Sequence, residues 1–144
     1  MTKHPLLKLL YIFLFLGLLD ALYLTYEHYF GNVSFCPFHS PLIDCGRVLR
    51  STYSMIGPVP LALLGALHYA FFIGWNTWFL LTGNLWAKRF LLLQALAGVA
   101  ASGYLFYLQA GPIGSFCFFC LVSAAVSLLA FLTVFLYSRH PEQI

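Results

Sequence analysis

Charge is what this sequence has least of. Only 8% of its 144 residues are Asp, Glu, Lys or Arg, against 62% hydrophobic, where a soluble domain carries roughly 25% charged residues. The polar coat of a water-soluble globule is therefore missing. That leaves a small integral membrane protein, read as one domain over residues 1–144. A formal net charge of +3 is too small to suggest a nucleic-acid partner. Repeats, low-complexity tracts and fibrous patterns are absent, and no metal-binding or flavin-binding motif is visible.

Long apolar runs are what the sequence does have. Four of them, at about 5–29, 59–81, 89–109 and 113–137, come near the roughly 20 residues that a spanning helix needs. The first is too long for a signal-peptide core and has no small-residue cleavage site behind it, so it reads as a retained anchor. The second and third connections, around 82–88 and 110–112, are short, which makes neighbouring helices antiparallel. The expected fold is all-α, an integral membrane four-helix bundle. Lys3, Lys8, Lys88, Arg89 and Arg139 fall on one side and only Arg47 and Arg50 on the other. Both termini are thus expected in the cytoplasm, with the chain in the inner (plasma) membrane. The loop at about 30–58 then faces outward, and all four cysteines lie on the oxidising outer side.

That loop, "SFCPFHSPLIDCGRVLRSTYSMIGPVP", is more than a linker. Asp44 is a suitable N-cap for a short helix beginning at Cys45. Cys45, Val48, Leu49 and Thr52 would share its apolar face, as suits a helix lying at the membrane interface. Such a helix would carry Cys45 above the entrance of the fourth span, where "GPIGSFCFFC" places Cys117 and Cys120. Cysteines three apart on a helix share a face at a separation that a disulfide tolerates. With Ser115 or Gly111 as N-cap, Cys117 sits in the first turn, where unpaired N–H groups and the helix dipole favour a thiolate. Cys120 lies nearly one turn deeper, and Phe116, Phe118 and Phe119 offer flat apolar walls for a ring. A lone cysteine in such a helix is most simply a small buried residue. A C-x-x-C at a helix start, with a second pair on the same side, points to chemistry. Four cysteines allow three pairings. The favoured resting set is Cys36–Cys45 with Cys117–Cys120, and Cys45–Cys117 is the exchange intermediate. Two electrons would enter at the loop pair, cross to the helix pair and leave to a quinone dissolved in the membrane.

These residues resemble the vitamin K epoxide reductase family in its bacterial and archaeal form, without a fused thioredoxin domain. The resemblance rests on "GLLDALYLTYEHY" closing the first helix, on Cys36 and Cys45, on "CGRVLRS" with Ser51, on "GPVPLALLGALHY", and on "CFFC" opening the last helix. The order of a loop pair first and C-x-x-C last distinguishes it from disulfide bond formation protein B, the other well-known quinone-linked family. The resemblance implies a thiol:quinone oxidoreductase in which Cys117 and Cys120 are the redox centre, with Cys120 beside the quinone, either ubiquinone or menaquinone. It makes Cys36 and Cys45 the shuttle pair and Ser51 a supporting hydroxyl. The implied electron donor is a periplasmic thioredoxin-fold protein of the DsbA type. Vertebrate members carry Tyr four residues after the second C-x-x-C cysteine, where this chain has Ala124. That departure favours quinone reduction over epoxide reduction. The cysteine expected to attack Cys117 is Cys45, because its helix can be fixed on the bundle.

Asp20, an ionisable group at membrane depth, is a functional candidate by default, here as a proton relay for quinone reduction. Glu27 lies on the same face nearer the interface. Single histidines such as His28, His39 and His68 read as interfacial or structural. Two other readings compete with the enzyme. One is a soft-metal-binding or transport protein using Cys36, His39, Cys45, Cys117 and Cys120 as ligands. The other is a structural membrane subunit with one disulfide, which leaves the second cysteine pair without a purpose.

Overall fold

A backbone among apolar side chains has only itself to hydrogen-bond with, and a helix satisfies every interior N–H and C=O locally. In the computed structural model, which describes residues 5–30 and 41–139, the apolar runs accordingly become helices. The all-α class expected from the sequence is the one observed. α1 spans Pro5–Phe30, starting at a proline whose fixed φ suits a first turn. α2 is the short loop helix Cys45–Leu49. A two-residue hairpin follows, β1 (Met55–Ile56) pairing antiparallel with β2 (Val59–Pro60).

α3 (Leu61–Thr82) ends at Gly83, whose φ of 66° gives the left-handed cap. Immediately afterwards Asn84 Oδ1 accepts the Trp86 N–H at 2.8 Å and caps α4 (Leu85–Leu108). The third helix therefore begins at Leu85 rather than near 89, because Asn84 supplies the start signal. α4 runs on into a π-helical turn, Gln109–Ile113, that contains Pro112. Gly114, at φ 72°, then breaks the path, and α5 (Phe118–Arg139) begins later than the expected 113. Ser115 and Phe116 are taken up by a connection to the loop instead of by a helical turn.

α1 packs along α3 and α5, and α4 packs along the same two helices. Their shared core includes Leu10 and Leu14 of α1, Tyr69 and Phe72 of α3, Leu91 of α4 and Val134 of α5. The outward faces remain apolar. Leu19, Phe71, Leu93 and Leu128 are all exposed, which suits lipid and not water. α1, α4 with its π-helical extension, and α5 are long and apolar enough to cross a membrane. α3 is as long as α5, at 22 residues, but is not one of these three, because His68, Tyr69, Asn76 and two tryptophans dilute its hydropathy. Those polar groups face inward. Asn76, for example, is fully buried and donates from Nδ2 to the Leu7 carbonyl at 3.1 Å.

Candidate active site

The two cysteine-bearing segments meet through their backbones. Phe116 N–H donates to the Leu42 carbonyl at 2.7 Å, and Asp44 N–H donates to the Phe116 carbonyl at 2.9 Å. This is a parallel bridge with Ile43 opposite Phe116. Asp44 does a second job there, since its Oδ1 accepts the Arg47 N–H at 3.0 Å and starts α2. One residue beyond each side of the bridge stands a cysteine. Cys45 and Cys117, 1% and 0% exposed, lie in one buried cluster with Leu24, Leu49, Leu108 and Ile113, and Cys120 packs against it.

Cys45 is held in a disulfide. Its expected partner Cys36, together with His39, lies outside the described residues. Cys117 and Cys120 are free thiols, so the bond expected between them at rest is not the state observed. In the dithiol state the Cys117 sulfur takes on a capping role. Cys117 directly precedes α5, and its Sγ accepts the Cys120 N–H at 3.3 Å, as an N-cap side chain accepts from the third helical residue. The cap is thus Cys117 itself, not Ser115 or Gly111. The Cys117 carbonyl meanwhile receives Leu121 N–H at 3.0 Å, the first helical bond. Hydrogen bonding from the Cys120 side chain, joined by the backbone N–H groups of Cys120 and Phe119, holds the Cys117 thiol below its ordinary value. Burial and the nearby Asp20 carboxylate oppose this effect but do not cancel it.

The Cys117 N–H is itself secured, donating to Gln109 Oε1 at 2.8 Å in a fully buried pair. Gln109 escapes sequence reading. It stands in no motif, and only the π-helical turn carries its side chain back to Cys117.

Cys120 also lines a cavity of about 870 Å³ counted out to its open mouth. Leu24, Leu49, Leu105, Phe106 and Ala124 give it apolar walls, and Ser51, Ser123 and Gln109 give it polar points. This is the usual make-up of a small-molecule site, and it fits a flat, largely apolar ring with polar edges. Phe116 and Phe119, expected as its walls, do not line it. The bridge holds Phe116 behind Phe106, ring centroids 5.5 Å apart, and Phe119 turns towards Tyr23 of α1 at 5.0 Å. Ser51 reaches the wall with its hydroxyl donating to the Val48 carbonyl at 2.8 Å, which closes the end of α2.

A buried polar group lies beneath the cavity. Tyr69 Oη is 2.9 Å from both the carbonyl and the Oγ of Ser123, and 3.0 Å from Ser127 Oγ. The Tyr69 ring fills a slot left by Gly17, where a Cβ would come within 2.5 Å of it. Asp20 is half-buried, and its Oδ2 has no hydrogen-bond partner among the described residues. Among the described residues, no three His, Cys, Asp or Glu side chains gather as metal ligands.

The sequence profile of the vitamin K epoxide reductase family matches residues 8–135. Among curated proteins, the thiol-disulfide oxidoreductase LTO1 of Arabidopsis thaliana is 37% identical over 126 residues, which cover 81% of this chain and 33% of that protein. The chain thus spans about a third of the length of the relative it matches.

Proposed function

The chain belongs to the vitamin K epoxide reductase family, and from that premise we propose that it is a membrane thiol:quinone oxidoreductase. It reoxidises a periplasmic thioredoxin-fold protein of the DsbA type and so supports disulfide bond formation. It sits in the plasma membrane as a four-helix bundle with both termini cytoplasmic, and α2 lies at the outer interface. One observation carries this reading. The bridge between residues 42–44 and Phe116 seats Cys45 beside Cys117, while Cys120 opens onto an apolar cavity.

In the proposed cycle a thiolate of the reduced partner attacks the Cys36–Cys45 disulfide, and the partner leaves as a disulfide with the loop pair reduced. The Cys45 thiolate then attacks Cys117 in a Cys117–Cys120 disulfide, forming Cys45–Cys117 and freeing Cys120. Cys36 attacks Cys45 next and expels Cys117, which restores the loop disulfide and leaves the helix pair as a dithiol. A sulfur with a lowered pKa leaves faster, and the hydrogen bonds to Cys117 Sγ supply that property. Re-forming Cys117–Cys120 releases two electrons and two protons, which a quinone in the cavity accepts. Cys120 is the contact residue, Phe106 is the aromatic wall with Phe116 supporting it, and Ser51 is a neighbouring hydroxyl. Asp20 relays protons; its unpartnered buried oxygen supports that role. Ala124 supplies no phenol at its own place in the wall, which favours quinone over epoxide as the acceptor.

The test uses the chain in lipid, a reduced thioredoxin-fold protein and either ubiquinone or menaquinone, with quinone absorbance as the readout. Turnover is expected with the native chain and none with Cys120→Ser. Normal turnover in Cys120→Ser would sink the site assignment.

A further inference from the structure

At the opposite end from the cysteines, a second cleft of about 640 Å³, counted to its open mouth, lies between the start of α4 and the end of α5. We infer that this cleft binds the phosphodiester head group of an anionic phospholipid. Lys88 and Arg89 supply two cations at its rim, Tyr137 and Ser138 add hydroxyl groups, and Leu92 and Val134 make an apolar wall.

Among the described residues, no carboxylate neutralises the charges there. The Lys88 ammonium lies 5.9 Å from the centre of the Tyr137 ring, and the Arg89 guanidinium lies 5.2 Å from that of Trp86. Neighbouring Arg139 is likewise 5.3 Å from Phe135. Ring faces orient these cations without removing their hydrogen-bond donors. Among the described residues, no carboxylate lines the cleft. Of the acids among the described residues, Asp20 and Glu27 belong to the half of α1 away from this end, and Asp44 caps α2 in the outer loop.

The arrangement matches an amphiphile better than a free anion. An arginine fork and a lysine point charge suit phosphate oxygens, and the apolar wall suits the acyl chains that a soluble phosphate lacks. Basic pockets between spanning helices on the cytoplasmic side recognise anionic head groups for this reason. The inference rests on membrane insertion and is independent of the redox chemistry, so either can fail alone.

The experiment compares the full chain in detergent with added phosphatidylglycerol, phosphatidylcholine or inorganic phosphate, reading bound lipid by native mass spectrometry and stability by thermal unfolding. Phosphatidylglycerol is expected to stay bound and to raise the unfolding temperature, whereas phosphatidylcholine does neither. Each cation near an anionic lipid contributes enough that removing both should weaken retention about 30-fold. The variant is the double substitution Lys88→Gln, Arg89→Gln. Arg89→Gln alone, at an exposed position, should lose about fivefold without touching the fold. Equal retention of the two lipids, unchanged retention in both variants, or a stability shift reproduced by inorganic phosphate alone would overturn the assignment.

Discussion

Replacing Gln109 with leucine removes one acceptor and changes little else. The side chain is 4% exposed and Cys117 is 0% exposed, so water cannot take over the 2.8 Å bond from the Cys117 N–H. Leucine fills similar volume, which keeps any packing loss small. What remains is a buried donor without a partner, a defect of about 1–3 kcal/mol. Against a total folding stability on the order of 5–15 kcal/mol this is measurable, but it should not unfold the chain. The chemical consequence should exceed the stability loss, because the same N–H orients the residue whose sulfur caps α5. Gln109→Leu is therefore expected to lower the unfolding midpoint in detergent, to slow turnover with quinone, and to alter the alkylation rate of Cys117. Gln109→Glu makes the companion test, since it keeps an oxygen acceptor. Its negative charge beside Cys117 would disfavour the thiolate and move the alkylation midpoint to higher pH. If Gln109→Leu matched the native protein in both stability and Cys117 reactivity, the positioning role would be refuted.

Three further outcomes follow from the same geometry. Alkylation of Cys117 in the reduced protein should reach half its maximal rate at a pH below the ordinary thiol value, because hydrogen bonds hold its pKa down. A depressed folded value also means that its contribution to stability is full above the ordinary thiol pKa and is lost as pH falls through the folded pKa, so a midpoint at or above the ordinary value would contradict the capping geometry. Gly17→Ala would place a Cβ 2.5 Å from the Tyr69 ring, whose hydroxyl is anchored at Ser123, and should destabilise by about 1–3 kcal/mol; an unchanged thermal midpoint would show that the ring can yield. Asp20→Asn should cut quinone turnover by about 100-fold while leaving disulfide exchange between the loop and helix pairs intact, and undiminished turnover would remove Asp20 from the proton path.

Much of this molecule could be read from the chain itself. Helices appear where apolar runs leave the backbone no other partner, and Asp44 declares the start of α2 by a purely local bond to Arg47. The sequential order of the cysteines, loop pair before C-x-x-C, was likewise visible in one dimension. Contacts between segments distant in sequence were not. α5 starts at Phe118 because Gly114 turns the chain and Phe116 pairs with Leu42 and Asp44, a bond that no local pattern announces. The same pairing pulls Phe116 behind Phe106 and leaves Ala124, Ser51 and Leu105 to line the cavity. Gln109 and Tyr69 acquire their roles only when the π-helical turn and α3 bring them to Cys117 and Ser123. Periodicity tells which side of a helix is apolar, but not which neighbour that side will meet. That choice is made by packing several helices at once, and so the tertiary structure alone decides which sulfur caps α5 and which lines the cavity.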